Sequence, residues 1–391
     1  MRAALLLCCL VLSTLGGKVI GDSGITCSDF KNMAVVGSIL KIFSSKTRED
    51  VGVDFFLSTR EQRQPAELSI VNWSALQSSG FDPTKKTYIV IHGYKSGGRK
   101  SWVLDLKDKL LDARGGNVIL VDWSQGSNVK NYINAARNTP FATDRIFNFL
   151  QTLRVQVERL SVNGPVMWNR LHFIGHSLGA QISAQTSNLL KENSFWKVER
   201  ITGLDPAKPC FSGIDPRLKI DKSDADFVDI IHTQADDHGG FDSLGTKERV
   251  GHIDFYVNGG VAQPQCLGSR FTPKLTKMVC SHKLSYKYFA ESLANAVNGS
   301  CKFNSHRWNG SYEEALEILN FKKNNVMCND CPEMGINASK LDKQGTYLVL
   351  TSIDEPYCDF QREDEPKLLR VLKKLRGSAR FDSVNSDTED D

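Results

Sequence analysis

The chain has 391 residues, 40% of them hydrophobic, enough to bury a large core in one big domain or two smaller ones. Its formal net charge of +4 is mild, and no clustered arginines with stacking aromatics accompany it, so composition argues against nucleic acid as a partner.

The first twenty residues read as a segment to be removed. Met1-Arg2 carries one positive charge, and Ala3 to Leu12 is an apolar run that ends in Ser13-Thr14-Leu15-Gly16-Gly17. That pattern predicts a secretory signal peptide over residues 1–20, too short to be a membrane span. No later apolar run is long enough to cross a bilayer. Of ten cysteines, Cys8 and Cys9 leave with the signal, and Cys27, Cys210, Cys266, Cys280, Cys301, Cys328, Cys331 and Cys358 remain. An even number in a secreted chain implies disulfides. Cys328-Asn329-Asp330-Cys331 has the spacing of half a zinc site, but no second ligand pair accompanies it. The Asn-x-Ser sequons at Asn72, Asn298, Asn309 and Asn337 fit the same compartment and predict exposed positions.

From there the chain alternates strand and helix. Residues 53–59 alternate as a strand. Thr87-Tyr88-Ile89-Val90-Ile91 is a buried strand that runs into His92-Gly93-Tyr94 and then Ser96-Gly97-Gly98. Trp102, Leu106 and Leu110 recur at helical spacing over residues 101–113, and 117–123 is another strand. Residues 142–160 form a helix with Ile146, Phe149, Leu150 and Leu153 on one face. A strand at 171–174 and a helix from 180 follow, and strands at 198–204, 227–231 and 252–257 extend the sheet. This order predicts an α/β fold, a mostly parallel central sheet with helices on both faces.

Between the strand at 171–174 and its helix lies Gly175-His176-Ser177-Leu178-Gly179. Gly-x-Ser-x-Gly alone is a weak signal; at a strand-to-helix junction it predicts a nucleophile elbow that holds the Ser177 hydroxyl at the carboxyl edge of the sheet. Asp205 stands where Pro206 stops the next strand, the place for the acid of a triad; the plain alternative is a local turn bond before proline. For the base, His282 in Cys280-Ser281-His282, just ahead of a helix from 283 to 297, competes with His92, His172, His176, His232, His238, His252 and His306. His232 is the strongest competitor because it too ends a strand. Chain order favours Ser177, then Asp205, then His282. The chemistry also needs two fixed donors for an oxyanion, and the N–H groups of Tyr94 and Leu178 are the candidates.

Cys266 and Cys280 bracket residues 267–279, an amphipathic stretch with Phe271, Leu275, Met278 and Val279 among Lys274 and Lys277. Lying just before His282, it is expected to be a flap that moves on meeting lipid, rather than a plain surface loop. The tail, residues 356–391, is expected to be flexible. Within it, 367–376 put Leu368, Leu369, Val371, Leu372 and Leu375 opposite Lys367, Arg370, Lys373 and Lys374, with Arg376 closing the stretch, before an acidic end at 387–391. A basic amphipathic helix of this kind suggests peripheral contact with a membrane surface, against the alternatives of a solvated tail or packing on its own domain.

Taken together these stretches resemble the pancreatic-lipase family of secreted lipases and phospholipases A1. The likeness runs from about residue 55 to 351. Besides the motifs above, it rests on Val121-Asp122-Trp123, Gly203-Leu204-Asp205-Pro206-Ala207, Gly251-His252-Ile253-Asp254-Phe255-Tyr256, Asn258-Gly259-Gly260 and Tyr288-Phe289-Ala290-Glu291-Ser292. The resemblance implies an α/β-hydrolase fold over residues 25–355, secretion, and a triad of Ser177, Asp205 and His282. It also implies a lid closed by a Cys266–Cys280 disulfide, and suggests that Cys301 pairs with Cys328 or Cys331. Family members require no cofactor, although some carry a structural calcium at the segment matching residues 219–224, where Asp221 and Asp224 are retained. Two departures narrow the expectation. The chain stops too soon after 351 to hold the C-terminal β-sandwich of larger members, and the lid is short, as in the phospholipase A1 branch, including the insect and venom enzymes. The expected activity is hydrolysis of the sn-1 ester of phospholipids through an acyl-enzyme. The alternatives are a triacylglycerol lipase and, from another class, a catalytically silent lipid-binding or storage protein such as the insect yolk proteins.

Overall fold

The structure, a computed structural model, describes residues 51–70, 73–160, 167–194, 196–235, 243–324 and 331–376. The signal peptide, Cys27, Asn72, His238, Cys328 and the acidic end at 387–391 lie outside them.

Ten strands form one sheet: β1 (Asp54–Ser58), β2 (Ala66–Glu67), β3 (Thr87–Ile91), β4 (Asn117–Asp122), β5 (Leu171–His176), β6 (Val198–Leu204), β7 (Ala225–His232), β8 (Ile253–Val257), β9 (Ser305–Arg307) and β10 (Gly345–Val349). Their order is β2-β1-β4-β3-β5-β6-β7-β8-β10-β9. Neighbours from β4 through β10 run parallel, whereas β1 lies antiparallel to β2 and β4, and β9 antiparallel to β10. The helices flanking the sheet are α1 (Ser101–Ala113), α2 (Tyr132–Leu160), α3 (Leu178–Ser194) and α4 (Lys274–Asn298).

A strand side chain changes face at every residue, so a continuous apolar strand feeds two cores at once. Ile89 and Ile91 of β3 join Ile119, Val121, Phe173, the α2 residues Ile146, Leu150 and Leu153, and Ile182 of α3. Tyr88 and Val90 join Val118, Leu120 and Ile174 on the other face, under Val103, Leu106 and Leu110 of α1 and Leu284, Phe289 and Leu293 of α4. This is the α/β-hydrolase fold. From β3 the chain crosses to β4 on one side, then returns to β5 on the other, so the connections leave β3 and β5 in opposite directions. The crevice at their carboxyl ends is a topological switch point, where such sheets bind ligands.

Three elements differ from the sequence expectation. First, α2 begins at Tyr132, not at 142, and runs through Pro140. Proline has no N–H to give to the carbonyl of Ala136, and the Thr139 hydroxyl donates to that oxygen instead (2.9 Å). Second, α4 begins at Lys274 after Pro273, so His282 sits inside a long helix rather than ahead of one. Only residues 267–273 of the expected flap are loop. Third, over its described length the tail packs its apolar face on the body of the chain. Helix α5 (Tyr312–Lys323) and helix α6 (Glu365–Leu372) meet in a third core, where Leu368, Val371, Leu372 and Leu375 are buried with Tyr256, Trp308, Tyr312 and Ile318. The apolar face that suggested membrane contact through 367–376 is turned onto the chain's own body, so that expectation is withdrawn.

Candidate active site

At the end of β5, Ser177 turns the chain with φ 57°, in the left-handed region. A Cβ at Gly175 would fall on the carbonyl of Gly179, and one at Gly179 on the carbonyl of Ile91 at the end of β3. Glycine at both places is what lets strand, turn and helix approach this closely. The Ser177 N–H donates to Leu204 O (3.1 Å), and its carbonyl accepts from Ala180 N–H (3.1 Å) and Ala207 N–H (3.2 Å), tying the turn to the end of β6.

Asp205, the residue after β6, is fully buried and also has a positive φ of 47°. Its Oδ1 accepts the N–H of Thr233 (2.8 Å) and of Gln234 (3.1 Å), just beyond β7. Its Oδ2 accepts Nδ1–H of His282 (2.5 Å). Three donors fix the carboxylate in one orientation. The bond to Asp205 assigns the proton of the neutral imidazole to Nδ1 and leaves Nε2 as a basic acceptor.

Among the described residues, most of the other histidines have at least one ring nitrogen engaged elsewhere. Buried His232 has Nδ1 at 2.8 Å from Thr246 O and Nε2 at 2.8 Å from Asp254 Oδ1, with Tyr256 stacked on the ring at 4.3 Å. His92 donates Nδ1–H to Gly93 O (2.9 Å) and accepts Trp123 N–H at Nε2 (3.2 Å). His172 donates Nε2–H to the Thr202 hydroxyl oxygen (2.8 Å), and Nδ1 of His252 accepts Val228 N–H (3.0 Å). His306 is half-buried on β9, at the far edge of the sheet.

The segment after β3 lies against the serine: a Cβ at Gly93 would stand 2.8 Å from Ser177 Cβ. Its position is fixed by Trp123, whose indole N–H donates to His92 O (2.7 Å), and by the Tyr94 hydroxyl, which donates to Lys130 O (2.8 Å). Tyr94 N–H follows directly on Gly93. Leu178 is the first residue of α3, where no intrahelical carbonyl is available to its N–H.

Two positioning residues were not foreseen from sequence. His176 donates Nε2–H to the carbonyl of His282 (3.3 Å), with Trp102 and Tyr286 edge-on to its ring at 5.6 and 5.1 Å. Burial, then the neighbouring His282, hold its pKa well below the usual imidazole range, so it stays neutral. Gln263 is fully buried. Its Nε2 donates to Thr233 O (2.9 Å) and Val257 O (2.8 Å), and its Oε1 accepts from Asn258 Nδ2 (2.9 Å) and the Tyr288 hydroxyl (3.0 Å). Its backbone N–H donates to the Ser281 hydroxyl (3.0 Å), next to His282. A glutamine between glycines and a proline carries no local signal of such a role; only the contacts disclose it.

Cys266 and Cys280 form the expected disulfide, joining the turn before the cap to the second turn of α4 (Cα–Cα 5.6 Å). Phe271 (80% exposed) and Leu275 (62%) stand out from the cap, whereas Met278 is buried. Cys301 is bonded to Cys358, not to Cys328 or Cys331, and Cys331 is itself in a disulfide. The reason is tertiary: Glu291 on α4 accepts the N–H groups of Tyr357 (2.8 Å) and Cys358 (2.9 Å), which draws that loop to the end of the helix. Asn298 and Asn309 are exposed as expected. Asn337 is not, since its amide is buried between Arg114 (2.7 Å) and Glu333 (3.0 Å).

Asp221 and Asp224 form a reciprocal capping box: Asp221 Oδ1 accepts Ser223 N–H (3.0 Å), and Asp224 Oδ2 accepts Asp221 N–H (2.7 Å). Asn188 donates to the other Asp224 oxygen (2.8 Å). Among the described residues no third carboxylate, histidine or cysteine joins the pair to form a ligand set. The observed work of these acids is capping.

A doubly covered parallel sheet with a serine at a strand-to-helix elbow defines the class: a carboxylic ester hydrolase of the lipase type. The chain belongs to the lipase family, whose model, described as Lipase, matches residues 18–357. It is 33% identical over 390 residues to pancreatic lipase-related protein 2 of Bos taurus, covering 95% of this chain and 78% of that protein. It is 32% identical to the Mus musculus protein of the same name, over 85% of this chain and 67% of that one. Lipase member H of Xenopus tropicalis is 31% identical, over 85% of this chain and 69% of that one.

Proposed function

We propose that the chain is a secreted phospholipase A1 whose triad is Ser177, Asp205 and His282. The observation that carries the reading is the Nδ1–H bond from His282 to buried Asp205, delivered by α4 beside the Ser177 elbow. Nε2 of His282 takes the Ser177 proton as the oxygen attacks the ester carbonyl, and Asp205 orients and stabilises the imidazolium. The N–H groups of Tyr94 and Leu178 bind the oxyanion. His282 returns the proton to the leaving alcohol, and water, deprotonated by the same ring, releases the fatty acid from the acyl-enzyme. None of these steps calls on a metal or cofactor, and calcium at Asp221 and Asp224 has no part in them. The short cap, with one disulfide and seven loop residues, 267–273, supports a mouth open to a polar head group. The signal-like start and the disulfides support secretion.

A fluorophosphonate probe should label the wild-type protein, and Ser177→Ala should abolish the label. Asp205→Asn should lower kcat by about 10⁴-fold with folding retained. A folded wild type that takes no label would favour the catalytically silent lipid-binding reading. Position-labelled phosphatidylcholine vesicles should release the sn-1 acid faster than triolein emulsion is cut; a strong preference for triolein would make the chain a triacylglycerol lipase.

A further inference from the structure

From Phe255 to Ala290 the sequence contains no aspartate or glutamate, although the chain as a whole has 45 of them. Over that stretch it carries Arg270, Lys274, Lys277, Lys283 and Lys287. The fold places this acid-free stretch at the mouth of the site, because it supplies the cap, the Cys266–Cys280 disulfide and the part of α4 that bears His282. Phe271 and Leu275 are the two most exposed large apolar side chains among the described residues, and both sit in this cap. Arg270 lies over the Phe271 ring at 4.7 Å from its centroid, and Lys274 and Leu275 open the helix beside them. The neighbouring β3–α1 segment repeats the charge. The β3–α1 loop brings exposed Lys95, Arg99 and Lys100 to the same end of the sheet. Its helix α1 is joined to α4 by Trp102 stacked on Tyr286 at 4.4 Å.

We infer that this rim is a docking surface for an anionic lipid interface. Phe271 and Leu275 enter the acyl boundary, and Arg270, Lys274 and Lys277 meet negatively charged head groups around them. The inference rests on the lipase reading of the site and names the charge class of the surface on which the site works. Exposed aromatic and aliphatic side chains ringed by cations gain from both burial of apolar area and attraction to anionic lipid. A neutral surface would supply only the first.

The test uses the full-length protein bearing Ser177→Ala for binding, so that vesicles stay intact, and the active protein for turnover. Co-sedimentation with phosphatidylcholine vesicles is compared with and without phosphatidylglycerol, at low and high salt. Phosphatidylglycerol should strengthen binding, and salt should remove the gain. Replacing Arg270, Lys274 and Lys277 together by glutamine should weaken binding to the anionic vesicles on the order of a hundredfold, at about tenfold or less per charge. Binding to neutral vesicles should hardly change. Phe271→Ser with Leu275→Ser should weaken binding to both. Hydrolysis of a soluble short-chain ester should be the same in the glutamine variant as in the parent. Equal binding to neutral and anionic vesicles, or a glutamine variant that binds anionic vesicles as the parent does, overturns the inference. Failure of the parent to cut the soluble ester would instead count against the hydrolase reading.

Discussion

Around the proposed triad, the residue whose loss should be most telling does no chemistry. Gln263 uses both amide hydrogens and both lone pairs of its side-chain oxygen, linking the loop that holds Asp205 to the strand end at Val257 and to Tyr288 on α4. A leucine of similar length keeps the volume and loses all of these bonds, leaving buried polar partners unpaired. We predict that Gln263→Leu lowers kcat on a soluble ester by about tenfold or more with little change in KM, since the fault lies in aligning groups already present. The pH profile of kcat/KM should move as well, because the Asp205–His282 pair loses its fixed geometry, and Gln263→Asn should rescue neither. A variant with wild-type kcat and an unmoved pH profile would reduce Gln263 to a packing role. The same contact logic separates His282 from His232. Each histidine lies beside a buried aspartate, but His232 has both ring nitrogens engaged, whereas His282 is bonded to its aspartate through Nδ1 alone, leaving Nε2 for the serine.

Within the sheet, β5 carries a neutral imidazole next to a charged pair. His172 is buried and bonded to Thr202, and the Thr202 hydroxyl donates to Asp229 (2.9 Å), which is paired with Arg200 through Nε (2.7 Å) and Nη2 (2.9 Å). Burial first, and then the positive charges of Arg200, Lys86 and Arg114, press the His172 pKa well below its usual value of 6.5. The folded value is therefore lower than the unfolded one. As pH falls below about 6.5 the unfolded chain takes up a proton that the folded chain refuses, and stability drops by up to about 1.4 kcal/mol per pH unit from this group. Urea melts from pH 7 to pH 5 should show His172→Gln losing less stability than the wild type over that interval. Parallel slopes for the two proteins would mean that β5 does not hold its histidine neutral.

Across the whole molecule, the end of the described chain returns to close the third core. Leu368, Val371, Leu372 and Leu375 are each 2% exposed or less, and burying an aliphatic side chain of this size is worth about 1.5–3 kcal/mol. Ending the chain after Phe360 should therefore cost several kcal/mol, seen as a lower melting temperature, and should leave binding to neutral vesicles unchanged because this helix presents no apolar face to lipid. A truncated protein that melts as the full chain does would show that the tail packs without contributing stability. What the sequence by itself determined was whatever neighbours along the chain dictate. It determined the strands and helices set by periodicity, the elbow at Ser177, and the order in which Ser177, Asp205 and His282 follow one another. What only the tertiary structure decided depends on groups far apart in the chain. That includes which histidine meets Asp205, why Cys301 meets Cys358, why Asn337 is buried, and which surface the tail helix covers. A periodic pattern records that a residue has an apolar or polar face. The partner that satisfies that face is fixed when distant segments pack, and nothing in the local sequence encodes it.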